Sequence, residues 1–364
     1  MKKIVIDARI ISSSTGRYVE RLLTYLEQID HENSYTVLVR SKDKDYWQPT
    51  NKNFEIKIAD YKNFSFGEQI GFSQLLYSLK ADLVHFCMPQ QPIFYFKPSI
   101  TTVHDLILLK TYNSDKNWMI YHAKQLVGRF VFWYLAHKSR YIITPSDFSR
   151  EEYLERYRIR TEKLVTTHLA ADITKIKSQK MSLPYKKYIM YVGQQSNYKN
   201  IRRLILAHQQ LLHIHPDLGL VLVGSKSVLT KRNEVWVKKN NYQNITFTGF
   251  VEDTQLAWLY QHCSAYVFPS LMEGFGLPGL EAMAQGAPVV SSNATCLPEI
   301  YGNAAHYFDP LNVDDMTQKI NEVLTDERLR KKLLRNSQQQ IKKYSWKKMA
   351  HETLRVYTQA MNDQ

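Results

Sequence analysis

The stretch Pro269-Ser270-Leu271-Met272-Glu273-Gly274-Phe275-Gly276-Leu277-Pro278-Gly279-Leu280-Glu281-Ala282-Met283-Ala284-Gln285-Gly286-Ala287-Pro288-Val289-Val290 reads as a strand end, a glycine loop, a helix and a second strand. The apolar run Ser264 to Pro269 at its head has the length of a buried strand. Gly274 and Gly276 supply backbone that bends sharply and lets a ligand come close. Leu277 to Gln285 has helical spacing, with Leu277, Leu280, Met283 and Ala284 on one side. Gly286 fits the helix end, and Ala287 to Val290 resumes a strand. A glycine turn feeding a helix N-terminus suits phosphate, because the first N–H groups of a helix point outward. Glu273 and Glu281 flank that turn. Carboxylates do not bind phosphate, so a sugar or ribose hydroxyl is their natural partner. On spacing alone the plainer reading is the stronger one: an acid favouring a helix start and a solvated helical glutamate.

A chain of 364 residues exceeds one ordinary core and suits two domains. With 44% hydrophobic and 23% charged residues it falls in the soluble globular class. No apolar run approaches the ~20 residues of a membrane span. Lys3-Ile4-Val5-Ile6 enters a strand at once, without the longer apolar run of a signal peptide. Cys87, Cys263 and Cys296 are too few and too far apart for a disulfide framework or a zinc site. A cytoplasmic protein is expected. The net charge of +14 is spread, with 27 basic and 19 acidic residues up to Pro184 and 21 and 15 beyond. That excess suits a polyanionic nucleotide donor, or peripheral contact with the inner face of an anionic membrane. No RNA-binding or helix-turn-helix signature accompanies it, so nucleic acid is not an expected partner.

Strand runs at Lys3–Ala8, Tyr35–Arg40, Phe54–Ala59, Asp82–Phe86, Ile100–Val103 and Tyr141–Ser146 alternate with helical patterns, as at Gly16–Ile29 and Gly67–Leu79. That alternation predicts a parallel sheet covered on both faces, with ligands at the carboxyl ends of its strands. Aromatic side chains crowd Tyr61–Phe72, Phe86–Phe96 and Trp118–Tyr141. They are expected mainly in the core, the alternative being a basic, aromatic rim that docks on lipid headgroups. Ser146 or Asp147 is an N-cap. From Ala171 to Tyr185 the pattern breaks into Lys, Ser and Pro, as an interdomain linker would. Tyr188–Gly193 restarts a strand, followed by a helix over Asn200–His215, strands at Leu218–Gly224 and Ile245–Thr248, and helices at Thr254–Cys263, Met316–Leu324, Arg328–Ile341 and Trp346–Ala360.

Glu273-Gly274-Phe275-Gly276-Leu277-Pro278, followed by Glu281-Ala282-Met283-Ala284 and Gly286-Ala287-Pro288-Val289, closely resembles the signature of retaining glycosyltransferases of family 4. The resemblance implies the GT-B fold: α/β, two Rossmann-like parallel-sheet domains facing each other across a cleft. It places an acceptor-binding domain at 1–172, a nucleotide-sugar domain at 186–345 and a terminal helix, 346–364, crossing back to the first. It implies that Glu273 contacts the donor sugar, Glu281 the ribose, and the amides of Gly274, Phe275, Gly276 and Leu277 the diphosphate. Carried along the chain, it sets Gly16 of the Arg9–Tyr18 loop against the diphosphate and His104 of Thr102-Val103-His104-Asp105 beside the transferred sugar. Lys199, after the Gly193 turn, would grip the diphosphate, and the backbone of Gly249 and Val251 the base. The chain departs from the pattern at Gln194, often arginine in the family, and at Tyr198; Arg9, Arg17 or Arg202 are the candidates to compensate.

The implied function is hexose transfer, of mannose or glucose type, from a UDP- or GDP-linked donor to a hydroxyl of a glycan or lipid-linked acceptor. The setting would be synthesis of bacterial-type cell-surface polysaccharide or glycolipid, with retention of configuration. His104 and Glu273 are the catalytic candidates, and no nucleophile is assigned because the family reaction is drawn as front-face displacement. No further cofactor and no metal are expected, Asp43-Lys44-Asp45 reading as solvated surface. A related phosphorylase would need a pyridoxal-phosphate lysine region, and an epimerase would lack the Glu273/Glu281 pairing. A nucleotide-sugar-binding or scaffold protein with an impaired site stays open because of Gln194.

Overall fold

The computed structural model describes residues 1–13, 15–63, 65–110, 118–172 and 177–363. Ser14 of the first loop, Phe64 among the aromatics and residues 173–176 of the expected linker lie outside that description. The chain divides into two compact units: Met1–Leu169 with Ser345–Gln364, and Ala170–Tyr344.

The first unit runs β1 (Lys3–Asp7), α1 (Gly16–Ile29), β2 (Ser34–Val39), β3 (Phe54–Ile58), α2 (Ser73–Ser78), β4 (Leu83–Phe86), β5 (Ser99–Thr102), α3 (Ile107–Lys110), α4 (Trp118–Lys138), β6 (Tyr141–Thr144), α5 (Asp147–Tyr157) and β7 (Leu164–Thr166). Its seven strands are parallel in the order β3-β2-β1-β4-β5-β6-β7. Central strands such as KIVID and LVHF are buried along nearly their whole length, as expected of a parallel sheet with helices on both faces. The expected Gly67–Leu79 helix is instead a π-helical turn, Glu68–Phe72, leading into α2. That wider turn buries both Glu68 and Phe72 against Arg9. Ser146 caps α5 by accepting from the Ser149 amide at 3.1 Å.

The second unit runs β8 (Lys187–Val192), α6 (Ile201–Leu211), β9 (Leu218–Val223), α7 (Val228–Lys239), β10 (Ile245–Gly249), α8 (Asp253–His262), β11 (Ala265–Phe268), α9 (Leu277–Gln285), β12 (Val289–Ser292), α10 (Leu297–Tyr301), β13 (Ala305–Phe308), α11 (Val313–Thr325) and α12 (Glu327–Gln340). Its six parallel strands are ordered β10-β9-β8-β11-β12-β13. In both sheets the strand order reverses once, at β1/β4 and at β8/β11, and such a switch point opens a crevice at the carboxyl ends of the strands.

The final helix α13 (Trp346–Asn362) belongs to the first unit and lies on α1. The Tyr357 hydroxyl meets His85 Nδ1 at 2.8 Å, and the Tyr141 hydroxyl donates to Asp363 at 2.7 Å. Among the described residues no helix is long and apolar enough to cross a membrane.

Candidate active site

The two loops leaving β8 and β11 at the switch point of the second sheet carry its charge. The β8 loop ends in a 3₁₀ turn, Asn197–Lys199, followed by Asn200 at φ 61°. Asparagine tolerates that left-handed conformation. Its amide donates to the Pro269 carbonyl at 3.0 Å and the Pro310 carbonyl at 2.7 Å, tying the loop to the end of β11. The Leu271 amide adds a bond to the Tyr198 carbonyl, 2.7 Å. The result is an ion pair, Lys199 Nζ to Glu273 Oε1 at 2.6 Å. Burial works against the Lys199 charge, but the attraction and hydrogen bond of Glu273 outweigh it and hold the ammonium above its ordinary pKa.

Glu273 is gripped from its other side by the loop after β12. Its amide donates to Thr295 Oγ1 at 3.1 Å, and its carbonyl accepts from the Cys296 thiol at 3.2 Å. Thr295 sits at φ 53°, a strained place for a β-branched residue and one that persists only when the surroundings over-determine it. Sequence patterning gave no sign of this clamp.

The glycine loop is moulded by Tyr301 of α10. Its hydroxyl donates to the Gly276 carbonyl at 2.5 Å, and a β-carbon on Gly276 (φ 91°) or Gly279 would stand 2.6 or 2.3 Å from that oxygen. Gly274 and Phe275 are buried, the Phe275 ring edge-on to Tyr344 at 5.7 Å. α9 then starts at Leu277 with no side chain capping it; in its first turn Pro278 has no N–H and the Gly279 amide donates to the Gly276 carbonyl at 3.1 Å, so an anion at this helix start would rest on its dipole and on the loop backbone. Glu281 lies one turn inside α9, partly buried. Gly193 (φ 142°) and Gly249 (φ 74°) end β8 and β10, and Val251 is buried two residues further on. The sequence-predicted residues of this half thus come together along the carboxyl edge of one sheet.

Gln194 offers no charge there. Its carbonyl accepts from the Tyr191 hydroxyl at 2.9 Å, and the adjacent Gln195 is buried against Asn233 at 2.9 Å. Arg202 does not compensate. It donates to Asn233 at 3.3 Å, and its guanidinium lies 5.2 Å from the Trp236 ring. Arg9 does not either: it is locked in the first unit on Asp7 (2.8 Å), Glu68 (3.1 Å) and the Tyr61 carbonyl (3.1 Å), over the Phe72 ring.

In the first unit, Gly16 opens α1 in close contact with the preceding loop; a β-carbon there would lie 1.8 Å from the Ile11 carbonyl oxygen. Only glycine fits. His104 follows β5 and donates from Nε2 to the Cys87 carbonyl at 3.0 Å, which fixes the tautomer and leaves Nδ1 as an acceptor. Burial pulls its pKa down to about 4, the Cys87 hydrogen bond opposing, so the ring is neutral. The Tyr18 ring stands edge-on to it at 5.0 Å. Behind that pair runs a buried chain that the sequence did not announce: Tyr18 hydroxyl to Thr102 (2.9 Å), Thr102 to His85 (2.8 Å), His85 to Tyr357 of α13 (2.8 Å). A cavity of about 200 Å³ beside His104 is walled by Met88, Pro89, Val131 and Phe132. Asp105 bonds the Ile107 amide at 2.9 Å and opens α3. Asp43, expected on the surface, is buried, whereas Lys44 and Asp45 are exposed. The two carboxylates of that Asp-Lys-Asp therefore face different environments.

The family described as Glycosyltransferase Family 4 matches residues 15–175, and the one described as Glycosyl transferases group 1 matches residues 172–340. The chain is 33% identical over 287 residues to O-antigen chain mannosyltransferase B of Escherichia coli, covering 73% of this chain and 72% of that one. Its fold is similar to sucrose-phosphate synthase of Thermosynechococcus elongatus (TM-score 0.81, 18% identity, all of both chains). It is also similar to HepE of Anabaena in complex with UDP-glucose (TM-score 0.73, 15% identity, 99% and 100% of the two chains). With two parallel-sheet Rossmann-like units and these relatives, the chain belongs to the family 4, group 1 glycosyltransferases of GT-B fold.

Proposed function

We propose that this glycosyltransferase moves a hexose, of mannose or glucose type, from a nucleotide diphosphate sugar to a hydroxyl of a glycan or lipid-linked acceptor. Retention of configuration and a role in cell-surface polysaccharide or glycolipid synthesis complete the reading. The observation that carries it is the Lys199–Glu273 pair beside the N-terminus of α9. A diphosphate at the N-terminus of α9 would share the Lys199 ammonium, which has three donors, and so draw it from Glu273. Glu273 would then be free to accept from sugar hydroxyls while Lys199 and the loop amides offset the charge of the leaving diphosphate. Glu281, one turn on, would hold ribose. His104, fixed as an acceptor, would take a hydroxyl proton of the sugar in a hydrogen bond and orient it. The mannosyltransferase relative supports the sugar class, and HepE with UDP-glucose supports a nucleotide-sugar donor.

Thermal-shift measurement with UDP, GDP, ADP and their sugar conjugates tests the reading, since a ligand of the folded state raises the melting point. One nucleotide family should stabilise wild type, and Glu281→Ala should abolish the shift. A second reading, binding without turnover, is favoured by Gln194 standing where the family often has arginine. It would be supported by a clear shift with no sugar transferred or released from any conjugate.

A further inference from the structure

Thr295 stands where the backbone asks for glycine. The Leu297 amide returns to the Ala294 carbonyl at 3.3 Å, so Thr295 and Cys296 are the central residues of a turn leading into α10. Thr295 has φ 53°, and Cys296 has φ −74° with ψ −8°. A positive φ at the first central position and an ordinary one at the second is the pattern of a type II′ turn, whose first position favours glycine. Among the described residues five other non-glycine positions have positive φ: three asparagines, a lysine and an arginine. Thr295 is the one with a β-branched side chain, the kind that tolerates this region least.

The turn is held on both sides. The Asn293 amide donates to the Phe308 carbonyl, the Ala294 amide to Ser292 Oγ and the Ile300 amide to the Cys296 carbonyl, each at 3.0 Å. Glycine would follow the same path without the strain. What glycine lacks is the hydroxyl, which accepts from the Glu273 amide at 3.1 Å. One neutral hydrogen bond is generally worth less, net, than such strain costs, so stability does not account for threonine here. The next residue completes the hold, the Cys296 thiol donating to the Glu273 carbonyl at 3.2 Å. Burial, and then the Glu273 carboxylate, push the Cys296 thiol up, so sulfur keeps the proton it donates. Two consecutive side chains therefore take both backbone groups of Glu273, while Lys199 takes its carboxylate. Gly274 follows directly, and its freedom would otherwise let the Glu273 backbone swing.

We infer that Thr295 is a positioning residue: its hydroxyl fixes the Glu273 backbone so that the carboxylate is aimed at the donor sugar. The part in transfer rests on the reading of Glu273 given above, whereas the hold on the backbone is measurable without it. Three substitutions separate hydroxyl, shape and strain. Thr295→Val keeps the shape and loses the acceptor, Thr295→Gly loses the acceptor and the strain, and Thr295→Ser keeps the acceptor. Amide hydrogen exchange across Glu273–Gly276, without ligand, should run about tenfold faster in Thr295→Val and Thr295→Gly, and within about twofold of wild type in Thr295→Ser. Sugar transfer should divide the same way, kcat falling about tenfold in the first two while affinity for the sugar-free nucleotide stays within about twofold. Thr295→Gly should nonetheless melt no lower than wild type. If Thr295 only built the turn, activity would follow melting point and the glycine variant would be fully active. The inference is overturned by wild-type exchange in Thr295→Val, or by wild-type kcat in Thr295→Gly. Wild type that transfers sugar from no nucleotide donor would instead sink the transferase reading, and the exchange rates would still decide whether Thr295 holds Glu273.

Discussion

The two units set buried charge at the same place in the same kind of sheet and use it differently. Beside the switch strand β1, Arg9 bridges Asp7 and Glu68 with side chains no more than 1% exposed. Beside the switch strand β8, Lys199 meets Glu273 with side chains 15% and 10% exposed. The first cluster is saturated: the guanidinium also donates to the Tyr61 carbonyl and rests on the Phe72 ring, and Gln90 donates to the second carboxylate oxygen of Glu68 at 3.1 Å. The second is one ion pair between two loops, the ammonium 5.0 and 5.6 Å from the Tyr198 and Phe268 rings, next to a helix N-terminus without a side-chain cap. A saturated network fixes a fold, because any group removed strands another in low dielectric. A pair with remaining capacity at a sheet edge is where a ligand can enter.

The sharpest way to break that contrast is to remove the cation from each. Arg9→Met strands two buried carboxylates and is expected to cost about 3–5 kcal/mol of stability, read as a melting point lower by about 10 °C. Lys199→Met should cost much less stability, about 1–2 kcal/mol, but should remove most nucleotide affinity. Equal stability losses with intact nucleotide binding in Lys199→Met would mean both pairs are structural.

Next in size is the chemistry. Glu273→Gln keeps the shape of the loop, its Thr295 and Cys296 contacts being to backbone, and should lower sugar transfer about 10²–10³-fold with little change in melting point. Transfer at the wild-type rate would remove Glu273 from the site, and with it the functional half of the comparison.

Much of the second unit was legible in the sequence because its signals are local. The Leu277–Gln285 helix, its leading glycines and Gly286 follow from propensity and spacing within a dozen residues, and α9 has those bounds. What could not be read depends on distant partners. Thr295 lies 22 residues from the Glu273 amide it accepts from, and nothing in Asn-Ala-Thr-Cys announces a left-handed threonine. Arg9 looked free for phosphate because Glu68, its partner, is 59 residues away on a π-helical turn. No continuous apolar stripe marks α7 in the sequence, Val228 and Val235 being exposed. α4 misled in the opposite sense. An all-round apolar pattern reads as a buried helix, yet one face is open.

A smaller effect separates two glycines at the ends of one helix. Gly276 and Gly286 both have left-handed φ, 91° and 87°, but a β-carbon meets Tyr301 and Leu297 at 2.6 Å in the first and nothing within 4 Å in the second. Gly286→Ala should cost about 1 kcal/mol, the backbone term alone. Gly276→Ala should cost about 2–3 kcal/mol and weaken nucleotide binding as well, because Tyr301 must shift and the loop with it. Equal costs without a binding defect would show that Tyr301 does not shape the anion site.

Acid should finally tell the units apart. Burial lowers His85 to about 3 and His104 to about 4 in the first unit, and His208 to about 4 in the second. Each folded-state value lies below the ordinary ~6.5 of an unfolded histidine. Between those values the unfolded chain binds protons that the folded chain refuses, so stability is fully present above about pH 6.5 and is lost as pH falls toward 4. With two such histidines against one, the first unit should lose more hydrogen-exchange protection between pH 7 and pH 5. His208→Gln should flatten the remaining response of the second unit, Gln keeping a donor for the Leu218 carbonyl that His208 Nε2 reaches at 3.0 Å. A second unit that opens first, or as readily, would mean that the His85–Thr102–Tyr18 chain tolerates a proton. His104 would then have to be treated as a cation that donates to the sugar rather than an acceptor.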